Sequence, residues 1–122
     1  MKLSNLSTFT ILSFINYSTV YAKCYDFGAG EYAPAAAVAE APKFCSDYNG
    51  DFPAGKLLGG CRKVDKYGYD VYIKNTKGQM NHLDSATCVQ YLINELACPK
   101  GGETNWPAIG WKFASVPKPS GC

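Results

Sequence analysis

The sequence has one histidine, His82, and no two of its six cysteines stand two to four residues apart. A zinc hairpin is built from closely spaced cysteine or histidine pairs, so no structural zinc site is expected, nor any other cofactor. The lone histidine leaves a copper-dependent polysaccharide monooxygenase without its second imidazole. With Arg62 as the one arginine, it also leaves a small ribonuclease short of an acid, a base and a phosphate clamp. Charge blocks are missing too. The 12 basic and 10 acidic residues are interleaved and leave a net charge of +2, so the basic stripe that nucleic-acid binding requires is not there. The longest apolar stretch, residues 6–15, is about half the roughly 20 residues that span a bilayer, and no membrane partner is expected. No Asp-x-Asp-x-Glu constellation occurs, and no linker or internal repeat divides the chain.

The beginning of the chain carries Lys2, the apolar stretch, and small residues at Val20 and Ala22. These are the three parts of a secretory signal, so residues 1–22 are expected to be removed and residues 23–122 to act as one extracellular domain. Both Asn-x-Ser sequons, at Asn5 and Asn16, fall in the discarded segment. Six cysteines remain: Cys24, Cys45, Cys61, Cys88, Cys98 and Cys122. An even number in an oxidising compartment predicts three disulfides, whose pairing the sequence leaves open.

Residues 34–41 are rich in alanine behind Pro34 and predict a helix that Pro42 ends or bends. Gly59-Gly60 reads as loop punctuation. Over residues 67–74, Tyr67, Tyr69, Val71 and Ile73 alternate with Gly68, Asp70, Tyr72 and Lys74, the mark of a half-buried strand. The turn signal at residues 75–78 predicts a hairpin to a second strand near residues 79–82. A second helix follows, capped by Asp84 or Ser85, with Val89, Leu92, Ile93 and Leu96 at helical spacing. Cys88 and Cys98 would lie roughly 15 Å apart along its axis, so unless the helix ends early each is expected to bridge to another element. A loop over residues 101–110 then leads to a last strand in which Trp111, Phe113 and Ser115 share a face. The expected fold class is α+β, a small antiparallel sheet with two helices, stapled by three disulfides.

Several of these residues fall in an order similar to that of the small secreted fungal glycan-binding domains typified by the ink-cap mushroom lectin Y-three. The resemblance runs from Cys24-Tyr25 and Gly28 through Phe44-Cys45 and Gly60-Cys61. It continues with a helix bearing Cys88, Leu92, Glu95, Leu96 and Cys98, then Gly101-Gly102, Trp111-x-Phe113, Pro117 and the last Cys122. The chain departs from the pattern at Val116-Pro117-Lys118, where similar proteins carry Asp-Pro-Asn. The resemblance implies a lectin-like protein that binds cell-wall or glycoprotein glycans. Chitin fragments are the expected partner, in the role of an effector that limits their detection by a host.

Sugar recognition without a metal needs an apolar platform for the C–H face of a pyranose and polar groups at its edge. Glu103, Asn105 and Trp106 supply both within one Gly-bounded loop, where Trp106 is either an exposed platform or a plug of the core. Trp111, in phase with Phe113, is expected in the core. Asp70, Tyr72 and Lys74 form an outward row that is either a second wall of a sugar groove or a plain solvated face. The rival class is a small hydrolase of chitin oligomers, which needs two carboxylates about 5–9.5 Å apart. Glu95 and Glu103 are its candidate acids, and the bland alternative for Glu95 is a helix-surface acid bonded to a nearby loop.

Overall fold

The computed structural model describes residues 21–26 and 32–122. Most of the expected signal segment, with Asn5 and Asn16, lies outside the described residues, as does Gly28. The elements in chain order are β1 (Tyr21–Cys24), α1 (Pro34–Ala39), α2 (Ala41–Asp47), β2 (Gly50–Phe52) and β3 (Leu57–Val64). Then come β4 (Tyr67–Asn75), β5 (Asn81–Leu83), α3 (Ser85–Leu96), β6 (Gly102–Trp106) and β7 (Trp111–Lys118). Five strands form an antiparallel sheet in the order β1-β6-β7-β4-β3, and β2 pairs with β5 in a separate ribbon. This is the small α+β fold stapled by three disulfides that the sequence predicts.

The alternation along β4 holds from Tyr69 to Lys74, whereas Gly68 on the outer face is buried beside Gly121 and Cys122. Tyr69, Val71 and Ile73 are fully buried, and they share the sheet's inner face with Val64, Trp111 and Phe113. The helices cover that face with Ala37, Ala41, Phe44, Leu92 and Leu96. In α3, Asp84 caps the first turn by accepting a hydrogen bond from the Thr87 amide at 2.7 Å.

Three local expectations need correction. The alanine-rich stretch is two helices, because Glu40 closes α1 and opens α2 at once. Pro42 falls in the first turn of α2, where a missing N–H has no partner to lose, so it starts a helix and does not end one. Gly59 and Gly60 lie inside β3, a full strand paired to β4. Residues 81–83 pair with β2 and form no hairpin with β4. The cause is Asn75, fully buried at the end of β4. Its amide donates to the carbonyls of Phe52 (2.9 Å), Pro53 (3.1 Å) and Gln79 (2.9 Å), while its Oδ1 accepts from the Lys77 amide at 2.9 Å. These bonds turn the chain off the sheet and onto the ribbon.

The disulfides join Cys24 to Cys98, Cys45 to Cys88 and Cys61 to Cys122. As expected, Cys88 and Cys98 reach different elements: Cys88 ties α3 to α2, and Cys98, two residues past the end of α3, ties it to β1. Three such bridges fit an oxidising compartment. No helix among the described residues is long and apolar enough to cross a membrane.

Candidate functional site: a groove on the uncovered sheet face

Side chains of directly paired residues project from the same face of a sheet, so the register defines what the uncovered face presents. One row across it runs Glu103, Ala114, Tyr72, Gly59, and the next runs Asn105, Lys112, Lys74, Leu57. Ala114 is the small member at the centre, with longer side chains on both neighbouring strands and along β7. The result is a groove of about 360 Å³ lined by Tyr25, Leu57, Tyr72, Lys74, Glu103, Lys112, Ala114 and Val116.

Four large hydrophobic side chains are exposed among the described residues: Leu57, Tyr72, Met80 and Val116. Three of the four line this groove. Scattered apolar residues on a surface need no explanation, whereas convergence on one concavity marks a binding surface. Tyr72 owes its position to Gly59, because a Cβ built at Gly59 would overlap the Tyr72 ring. The ring therefore lies over the bare backbone of β3, a flat apolar plate beside the groove.

The polar edge is organised by Glu103. Its Oε1 accepts from the Tyr25 hydroxyl at 3.0 Å, and its Oε2 lies 3.5 Å from Lys112 Nζ. Partial burial and that hydrogen bond hold the Tyr25 phenol protonated, with its pKa pushed up to about 12. Asp70, one position along β4 from the Tyr72 row, pairs with Lys118 at 3.2 Å. Lys74 has no ion pair among the described residues.

The structure thus divides the residues singled out from sequence. Tyr72 and Glu103 are brought together in the groove. Asp70 and Asn105 share its face but lie outside its lining. Trp106 does not belong to it. Residues 102–106 are a strand and not a loop, and within β6 Trp106 falls in phase with the buried Gly102 and Thr104. Its ring packs on Tyr91, centroid to centroid 4.4 Å, on the helix side of the sheet. Trp111 is in the core as expected, 2 % exposed and edge-on to Phe52.

The carboxylate pair of the hydrolase reading is also corrected. Glu95 is not a surface acid but is 1 % exposed, on the buried stripe of α3 with Cys88, Leu92 and Leu96. Thr104 Oγ1 donates to its Oε1, while Oε2 has no partner among the described residues. Burial raises its pKa to about 7. Thr104 and Glu103 are consecutive in β6 and project from opposite faces, so Glu95 and Glu103 have the sheet between them and cannot flank one glycosidic bond.

Sequence reasoning missed Leu57, Lys112, Ala114 and Val116 as groove residues, and named Tyr25 only as part of the family resemblance. The alternation of Lys112, Ala114 and Val116 against Trp111, Phe113 and Ser115 was the available signal, since it fixes which β7 side chains stand beside Tyr72. No family model matches the chain, and no curated protein matches it either.

Proposed function

We propose that the protein is a secreted glycan-binding module that takes a cell-wall oligosaccharide, chitin fragments or a related polymer, in the groove beside Tyr72. One observation carries this reading: a flat aromatic plate, apolar Leu57 and Val116, and a hydrogen-bonded Tyr25–Glu103–Lys112 edge meet in one concavity on the face the helices leave open. A pyranose offers a C–H face to the plate and hydroxyls to the edge, and no metal is needed. The resemblance to fungal glycan-binding domains points the same way and adds the effector role, in which sequestered chitin fragments escape detection by a host.

The test is calorimetric titration of the oxidised protein with N-acetylglucosamine hexamer, alongside acidic and basic cell-wall oligomers, with product lengths followed by mass spectrometry. Binding without shortening is expected. It should be lost in Tyr72→Ala and kept in Trp106→Ala, whose side chain faces the helices. Absence of binding across all the oligomers, or binding indifferent to Tyr72, would end the proposal, and shortened products would make the protein a hydrolase.

A further inference from the structure

We infer that the groove contains an anion subsite at Lys74, which selects oligosaccharides carrying a ring carboxylate, uronic acids, over neutral or cationic ones. The inference rests on the glycan reading of the groove and moves its preferred ligand from neutral chitin to an acidic cell-wall polymer.

Lys74 and Lys112 are direct cross-strand partners on the uncovered face. Like charges so placed repel one another, and a nearby carboxylate is the usual relief. Lys112 has that relief in Glu103, 3.5 Å away. Glu103 makes no ion pair with Lys74, and its other oxygen accepts from the Tyr25 hydroxyl at 3.0 Å. The other carboxylate that the described strands place on this face, Asp70, is engaged by Lys118 at 3.2 Å. Lys74 is left as a groove-lining cation with no ion pair among the described residues, beside a second cation.

The spacing suits a sugar acid. Tyr72 and Lys74 are two residues apart on one strand, so their side chains rise from the same face roughly 6.6 Å apart. A pyranose stacked on Tyr72 can direct a carboxylate on its C5 along β4 toward the ammonium. A lysine meets such a group as a mobile point charge and tolerates several poses. A neutral N-acetyl sugar would stack and leave Lys74 unused. A glucosamine ammonium would meet two cations of its own sign.

The experiment compares three probes of equal length at two ionic strengths: galacturonic acid hexamer, N-acetylglucosamine hexamer and fully deacetylated glucosamine hexamer. The proteins are wild type, Lys74→Gln, Tyr72→Ala and Lys66→Gln, the last an exposed lysine outside the groove that controls for the loss of one charge. Wild type is expected to hold the uronate about tenfold more tightly than the neutral hexamer and the glucosamine hexamer least. That preference should vanish in Lys74→Gln and persist in Lys66→Gln. Equal affinity for uronate and neutral probes, or a preference that survives Lys74→Gln, overturns the subsite; if the neutral probe still depends on Tyr72, the groove reading stands without it. Failure of every probe to bind overturns both.

Discussion

The ring of Tyr72 occupies the space that a Cβ on its cross-strand partner Gly59 would need. Gly59→Ala should therefore push the ring off β3 and spoil the plate. Tyr72 is 38 % exposed and has solvent to swing into, so the loss of stability should stay near 1 kcal/mol, the cost of a displaced, partly exposed contact. Oligosaccharide affinity should fall about as far as in Tyr72→Ala. Paired titrations and thermal melts check this, and wild-type affinity in Gly59→Ala would mean that the ring's seat on β3 is irrelevant to the ligand.

Glu95 makes stability depend on pH in the direction opposite to a salt-bridged acid. Its pKa is raised by burial from an ordinary 4.5 to about 7 in the folded protein. Below about pH 4.5 it is neutral in both folded and unfolded chains and costs nothing. As pH rises toward 7 the unfolded chain ionises while the folded one resists, and stability falls by on the order of 3 kcal/mol. Glu95→Gln keeps an oxygen for the Thr104 hydroxyl and removes the titration. Denaturant midpoints from pH 4 to 8 should decline in wild type and run flatter in the variant. The same slope in both proteins would show that Glu95 titrates normally.

Asn75 binds sheet and ribbon together through one amide. Asn75→Asp keeps the acceptor for Lys77 but turns an oxygen toward the carbonyls of Phe52, Pro53 and Gln79. Three carbonyl acceptors, that of Phe52 buried and those of Pro53 and Gln79 partly so, then lose their donor and face a carboxyl group. The expected cost is about 3 kcal/mol or more, measured by urea unfolding, with faster amide exchange across β2 and β5 than across β4. An Asp variant as stable as wild type would show that the ribbon holds its place by apolar packing alone.

The sequence made legible whatever is fixed by a single repeating pattern. β4 could be read because eight consecutive residues alternate against one buried face, and α3 because a cap precedes a helical stripe. The individuality of Asn75 could not be read, since nothing in a four-residue turn signal says that one side chain will bond three carbonyls and divert the chain. β6 was hidden by Gly101-Gly102, which reads as loop, and its alternation lasts only five residues. Glu95 was hidden by its chemistry. It stands three residues after Leu92 on the buried stripe, yet a carboxylate at such a position is normally solvated. The groove was half visible: Tyr72 and Glu103 were found by chemical type, whereas Ala114, the floor, has no type to notice and is identified only by strand register.

The three disulfides differ in access, and that difference predicts an order of opening. Cys45 and Cys88 are fully buried between α2 and α3, whereas Cys61 and Cys122 are both exposed, at the β3 edge and the chain end. Cys24–Cys98 is intermediate, with Cys24 exposed and Cys98 only 4 % exposed. A thiolate must reach a sulfur to exchange with it, so access sets the rate among bridges in one protein. Graded reduction under native conditions, quenched by alkylation and mapped by mass spectrometry, should label Cys61 and Cys122 first and Cys45 and Cys88 last. Each bridge closes a loop of 43 to 74 residues, and its removal is worth about 4 kcal/mol by chain entropy. Loss of Cys61–Cys122 should accordingly lower the melting temperature while leaving α3 bridged to α2 and to β1 by the other two. Simultaneous labelling of all six cysteines would show instead that reduction proceeds through global unfolding, and that local access does not control it.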